Sequence, residues 1–241
     1  MANLLVEIGN TAVKAAWAEG TTLGKTFRYQ GEKVMDFIVC LTEEVKPDVL
    51  AIVSSYPLDG ENISALNQRC TTLLVLDSAH TSLLLRYSLP ECLPYDRACS
   101  VIAAAHLFKD KSCSIFDFGT TMTADFISSD GTYCGGIISP GVLTRFKSLN
   151  RYSKNLPLVD IPERISQESR TVEASIETGV ISGIMFEIEG YLRLHPENIA
   201  IFTGGDANYF AKRMKNSIFV VCNLVLLGLA LITDSYVRKN A

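Results

Sequence analysis

The feature that most limits what this chain can fold into is a device used twice. "LVEIGNTAVKAAW", from Leu5, runs an apolar stretch into Glu7, skips one residue to Gly9, and passes Asn10 and Thr11 before a second apolar stretch. "IFDFGTTMTADF", from Ile115, does the same with Asp117, Gly119, Thr120 and Thr121. Either stretch alone reads as a β-hairpin closed by a glycine turn. Repetition at the heads of two halves predicts a duplicated unit. Its chemistry is also coherent. Glycine lets backbone N–H groups approach an anion, threonine hydroxyls donate to phosphate oxygens, and each acid can hold a cation directly or through water. Paired acid–glycine–threonine turns therefore read as a nucleotide clamp.

The surrounding pattern mixes strands with helices and predicts an α/β fold. Strands are expected at 4–6, 13–17, 49–54 and 73–76, and helices near 34–45, 63–68 and 97–108. "SCSIFDFGTTMTADFISSDGTYCGG" reads as three strands joined by a turn and an Asp-Gly turn. A long helix at 171–194, a strand at 199–202, a helix from Ala207 and a final strand and helix complete the chain. No low-complexity linker divides it. The repeat sets the expected halves at 1–110 and 111–241. "IAIFTGGDA" adds a third glycine turn, where Gly204 and Gly205 admit a ligand close to the backbone ahead of a helix N-terminus. "GTTLGKT" from Gly20 imitates a phosphate-binding P-loop, but its glycine spacing is one residue short and no helix start follows, so it reads as a hairpin turn.

Bulk properties narrow the function classes. A formal charge of −4 over 241 residues supplies no basic footprint for nucleic acid or an anionic membrane, and neither partner is expected. "IFVVCNLVLLGLALI" from Ile218 is short for a span and contains Asn223, so it reads as a strand followed by a helix capped by Asn223. Seven cysteines without a C-x-x-C suit reduced thiols and a cytoplasmic protein better than disulfides or a zinc site.

Taken in order, the motifs resemble the acetate and sugar kinase, heat-shock chaperone and actin superfamily, and within it the type III pantothenate kinases. "EIGNTAVK" is similar to that family's first phosphate motif, "PYDR" to its pantothenate motif and "DFGTTMT" to its second phosphate motif. "GGIISPG", "NLPLV", "RTVEASIETG" and "TGGDA" follow in the family's order. The resemblance implies a duplicated ribonuclease-H-like (actin-like ATPase) fold, two halves with an interdomain nucleotide cleft. It implies phosphoryl transfer from ATP to the primary hydroxyl of pantothenate, the first step of coenzyme A biosynthesis.

Carried over residue by residue, the resemblance gives ATP contacts at Glu7, Ile8, Gly9, Asn10, Thr11, Ala12, Val13, Lys14, Thr120, Gly204 and Gly205. Asp117 would hold a monovalent cation, K⁺ or NH₄⁺, and Glu7 a water-bridged Mg²⁺ accompanying ATP. Tyr87, Pro94, Tyr95, Asp96 and Arg97 would surround pantothenate, with Thr171 supplied by the partner subunit of a homodimer. Asp96 suits a group that orients or deprotonates the attacking hydroxyl, and Arg97 suits a carboxylate fork. As plain structure, Asp96 would cap the helix that follows, Arg97 would lie on its surface, Tyr87 would sit half-buried and Thr171 would begin its own helix. Two positions depart from the family's usual residues, Glu7 for Asp and Pro94 for Gly. Competing readings are a related sugar or acyl kinase and a catalytically weakened regulatory protein of the same fold. No histidine is assigned to catalysis; His106 is expected to pack within its helix. Val172, Ile176, Val180, Gly183, Ile184 and Ile188 form a helical stripe that either a subunit interface or the chain's own core would bury.

Overall fold

A computed structural model describes residues 2–77, 81–166 and 169–240. The chain divides into two compact units, residues 1–109 with 223–241 and residues 110–222. The expected second half, 111–241, is therefore not one unit: its last segment packs with the first. That segment carries Leu224, Leu226, Leu229 and Ala230, all fully buried, and its helix packs on the first unit's sheet and on the helix at 95–107.

In the first unit β1 (Asn3–Ile8), β2 (Val13–Glu19), β3 (Thr22–Tyr29), β4 (Val49–Ser54) and β5 (Thr72–Leu76) form a sheet ordered β3-β2-β1-β4-β5. The first three strands are antiparallel neighbours; β4 and β5 join in parallel, after α1 (Val34–Leu41) and α2 (Gly60–Asn67) respectively. Alternation divides the residues of β1. Leu4, Val6 and Ile8 enter a core with Ile38 of α1 and Leu66 of α2. Glu7 belongs to the opposite face, the side of α8 (Leu224–Asn240) and α4 (Tyr95–Leu107), which pack on each other. The P-loop imitation is the β2–β3 hairpin, with Gly20 at φ 57° in its turn.

The second unit repeats the plan. β6 (Cys113–Phe118), β7 (Thr121–Ile127), β8 (Tyr133–Pro140), β9 (Ile199–Gly204) and β10 (Ile218–Val220) give the order β10-β9-β6-β7-β8. Read from the central strand, both sheets have two antiparallel neighbours on one side and two parallel ones on the other. This is the duplicated ribonuclease-H-like arrangement that the family resemblance implies. Phe116, Phe118, Met122, Phe126 and Phe202 face a core with Phe146 of α5 (Val142–Tyr152) and with α6 (Val172–Leu194).

The structure bears on several expectations, and those for His106 and Asn223 need correction. The helix stripe is mostly intrachain core: Ile176, Val180, Ile184 and Ile188 are buried, and only Val172 stands half exposed. A Cβ on Gly179 or Gly183 would meet nothing within 4 Å, so neither glycine admits a close helix neighbour within the chain. His106 is exposed on α4 rather than packed, and His80 lies outside the described residues. Asn223 precedes α8 with φ 59°, left-handed rather than the extended backbone of an ordinary N-cap, although its carbonyl accepts the helix's first bond from Leu227. All seven cysteines are free thiols.

The tightest crossing in the first unit is that of α4 and α8. A Cβ on Gly228 would fall 1.9 Å from the Cys99 carbonyl oxygen and 2.4 Å from its carbon, atoms of the α4 backbone that cannot swing aside. Gly228→Ala is expected to destabilise the protein by about 3 kcal/mol through overpacking. Urea unfolding would read this as a lowered midpoint; an unchanged midpoint would mean that the two helices separate without cost.

Candidate active site

The first turn follows from β-sheet register. Glu7 pairs across the hairpin with Lys14, and neighbours opposite each other on one face bring their side chains together. The Lys14 ammonium lies 3.0 and 3.2 Å from the two carboxylate oxygens of Glu7. The Gly9 amide donates to the Ala12 carbonyl at 3.0 Å and closes the turn, leaving Asn10 and Thr11 exposed at its tip. A second bond, from the Ser55 amide to the Ile8 carbonyl at 2.9 Å, ties the turn to the end of β4.

The "PYDR" motif starts α4. Pro94 has φ −54° at the N-cap position, and its carbonyl accepts from the Ala98 amide at 2.9 Å, so proline there suits the helix start. Asp96 follows two residues later, and its carboxylate accepts from the Arg97 amide at 2.8 Å. Asp96 is therefore not the cap expected of plain structure: it lies within the first turn of α4, whose N-cap position is held by Pro94 without a side-chain cap bond. Tyr95 donates its hydroxyl to the Asp77 carbonyl, holding the motif against the end of β5.

Cys99 of α4 is fully buried. Burial pushes the Cys99 thiol well above its ordinary range, and the negative charges of Asp96 and then Glu7 push it further. Ser55 ties the turn after Glu7 to the end of β4 and Tyr95 ties the "PYDR" helix to the end of β5, so both stand at one edge of the first sheet. Tyr87 belongs to the same neighbourhood. Burial raises its phenol, while a hydrogen bond with Ser235 and the charge of Arg86 oppose that rise.

In the second unit register sets Asp117 opposite Thr123 of β7 on one side and Thr203 of β9 on the other. Both threonines are buried, so this face carries one acid between two hydroxyl residues where the first sheet carries Glu7 opposite Lys14. Gly204 takes φ +91°, and a Cβ there would lie 2.5 Å from the Asp117 Oδ1 and 2.4 Å from the Phe118 carbonyl oxygen. Only glycine fits. The Gly205 amide donates to the Phe118 carbonyl at 2.8 Å, repeating the Ser55–Ile8 bond of the first unit. Thr120 lies exposed at the tip of the β6–β7 turn.

Thr171 immediately precedes α6. It caps α6, accepting from the Ala174 amide at 3.2 Å, and is exposed. Beside it runs a groove of about 830 Å³ between α5 and α6, lined by Leu149, Leu156, Val172, Ile176 and Arg145 among others. Among the described residues no three His, Cys, Asp or Glu side chains gather as a complete metal cage, and no helix is long and apolar enough to cross a membrane.

Residues 3–194 match the family model of type III pantothenate kinase. The chain belongs to that family. A curated type III pantothenate kinase from Bacteroides fragilis (strain YCH46) is 37% identical over 235 residues, covering 94% of this chain and 95% of the relative. Among solved structures, a conserved Baf-family protein from Campylobacter jejuni aligns with TM-score 0.62 at 20% identity, covering 99% of this chain and 100% of that one. A ROK hexokinase from Thermus thermophilus gives TM-score 0.53 at 12% identity, covering 99% and 100%. The last two comparisons speak to fold, which is that of the actin-like ATPases.

Sequence reasoning missed α5 and the residues that attach it to the second turn. Thr144 donates to the Thr120 carbonyl at 2.6 Å, and Arg145 reaches the Pro140 carbonyl at 2.8 Å, Ser139 Oγ at 2.6 Å and Glu187 Oε2 at 2.5 Å. The signal available was a glycine, Gly141, ahead of an amphipathic run whose apolar residues Val142 and Phe146 are four apart.

Proposed function

We propose a division of labour among the residues of this kinase, which phosphorylates pantothenate with ATP at the first step of coenzyme A biosynthesis. The observation that carries it is the common edge of the first sheet: the Ser55 amide ties the turn after Glu7 to the end of β4, and the Tyr95 hydroxyl ties the helix of Asp96 to the end of β5, the next strand. The turn from Glu7 to Lys14 in the first unit, and Thr120, Gly204 and Gly205 in the second, contact the phosphates and nucleotide. Glycine and exposed hydroxyl or amide residues let backbone and side-chain donors reach phosphate oxygens. Tyr87, Pro94, Tyr95 and Arg97 hold pantothenate, with the Arg97 guanidinium directed to its carboxylate.

In the reaction the substrate's primary hydroxyl oxygen attacks the γ-phosphorus, the bond to the β-phosphate oxygen breaks, and ADP leaves. Asp96 orients the hydroxyl and takes its proton as the new ester forms. Because such transfers depend mainly on positioning and charge stabilisation, this contribution is worth about 10²-fold or more. Mg²⁺ accompanying ATP supplies neutralising charge on the phosphates, and Glu7 would hold it through water because Lys14 already occupies both carboxylate oxygens. Asp96→Asn is expected to keep the melting temperature and ATP binding while lowering kcat by about 10²-fold. Steady-state phosphorylation of pantothenate by the folded variant checks this, and near-normal turnover removes Asp96 from the role.

Asp117, with Thr123 and Thr203 at the flanking register positions, supplies the carboxylate and hydroxyl oxygens that suit a hard cation. K⁺ or NH₄⁺ bound there would do for the second turn what the Lys14 ammonium does for the first. Activity is expected to require K⁺ or NH₄⁺, with Na⁺ a poor substitute at matched ionic strength; equal rates in all three salts would exclude the site.

The protein works in the cytoplasm as a homodimer whose substrate site is completed by Thr171 of a second copy. The groove beside Thr171 and the exposed Val172 support a subunit seated there. Two inactive variants, Asp96→Asn and Thr171→Arg, should regain activity when mixed, because some heterodimers then hold one site free of both defects. Confirmed subunit exchange without recovered activity would discard the shared site.

A further inference from the structure

The two phosphate turns are built alike up to one point. Each begins with an acid on the central strand and then a glycine, and each is tied to the parallel strand beside it, by Ser55 to Ile8 and by Gly205 to Phe118. Beyond that the symmetry breaks. The Thr120 carbonyl, at the tip of the second turn, accepts two hydrogen bonds: from the Gly141 amide at 3.0 Å and from the Thr144 hydroxyl at 2.6 Å. Among the described residues no hydrogen bond from the segment between β3 and α1, the counterpart in the first unit, reaches Asn10 or Thr11.

The attachment of the second turn is close and specific. A Cβ on Gly141 would fall 2.1 Å from the Gly119 carbonyl oxygen and 2.9 Å from that of Thr120, so the end of β8 presses directly on the turn's backbone. Arg145 fixes that strand end from behind, through the Pro140 carbonyl and Ser139 Oγ, and is itself anchored by Glu187 of α6. We propose that Thr144 is a positioning residue for phosphoryl transfer: with the Gly141 amide it locks the Thr120 peptide, so that the second phosphate turn is preformed before nucleotide arrives. A donor array set in advance loses less freedom when it meets an anion and reorganises less as charge moves in the transition state. The first turn lacks the lock and takes its shape from the Glu7–Lys14 pair.

The inference rests on the reading of Thr120 as a phosphate contact, and the experiment separates the two. Thr144→Val, Thr144→Ser and Thr120→Ala are compared in steady-state kinetics with each substrate varied, alongside hydrogen exchange of the peptide covering 118–123 in nucleotide-free protein. Thr144→Val is expected to lower kcat/KM for ATP about five- to tenfold, the worth of one hydrogen bond held in a precise site, and to leave KM for pantothenate unchanged. Exchange at 118–123 should quicken, and Thr144→Ser, which keeps the hydroxyl, should restore both readouts. A wild-type ATP profile in Thr144→Val while Thr120→Ala is impaired would overturn the lock and leave the phosphate reading intact. Equal losses in the Val and Ser variants would also overturn it, because packing and not the hydroxyl would then be responsible. An unimpaired Thr120→Ala would discard the phosphate reading itself, and the lock's catalytic role with it. Should Thr144→Val fail to fold, unaltered exchange at 118–123 in Thr144→Ala would overturn the lock, and quickened exchange would support it.

Discussion

Each sheet is organised around the last carbonyl of its central strand. In both units that carbonyl, of Ile8 or of Phe118, accepts from an amide just past the end of a parallel strand, Ser55 or Gly205. A strand end is where backbone groups run out of ladder partners, and an unpaired group there carries the full penalty of desolvation. Satisfying it from the neighbouring parallel strand fixes where the hairpin turn sits relative to that strand. In the second unit it also draws the Gly204 backbone so near Asp117 that no side chain fits. The β6–β7 turn, the acid and the glycine turn of "TGGDA" are consequently one object, assembled by parallel pairing.

Strand parity then decides what each acid meets. On β1 the residues on either side of Glu7 are committed to the core under α1 and α2, which leaves the carboxylate on the side of α4 and α8. On β6 Phe116 and Phe118 are committed likewise, leaving Asp117 on the face of Thr123 and Thr203. A one-residue slip in either strand would drive the acid into hydrocarbon and the aromatic or aliphatic residues out of it. Fold and site are therefore specified by the same hydrophobic alternation.

Much of this was legible in the sequence because it is local. The two acid–glycine turns, the "TGGDA" turn and most strands show in residue type and period. β3 was not read as a strand: "TLGKTFRY" carries Gly24 and two basic residues in an edge strand, where polar residues and glycine are tolerated. α5 was missed because its polar residues outnumber its apolar ones, and the helix stands on its contacts with α6. The stripe on α6 showed which face is apolar but not what covers it; a core and an interface want the same residues. The placing of the "PYDR" helix on the sheet that carries Glu7 was beyond local reading, since α8, from the other end of the sequence, packs on both α4 and β1. The attachment of Thr144 to Thr120 likewise spans residues 24 apart and leaves no periodic trace.

The return of α8 has a temporal meaning as well. The second unit, 110–222, is continuous in the chain, whereas the first is interrupted by it and completed only by 223–241. On the ribosome the second unit emerges whole and can fold as it leaves the tunnel. The first sheet appears earlier, yet the face of Leu5, Ala16, Ala51 and Val53 is only partly covered, by α4, until α8 has been made. For that interval the nascent chain exposes an apolar sheet surface, the kind of surface that chaperones exist to shield. The first unit is thus completed by a segment made after the whole of the second, and only then does the "PYDR" helix acquire the support of α8.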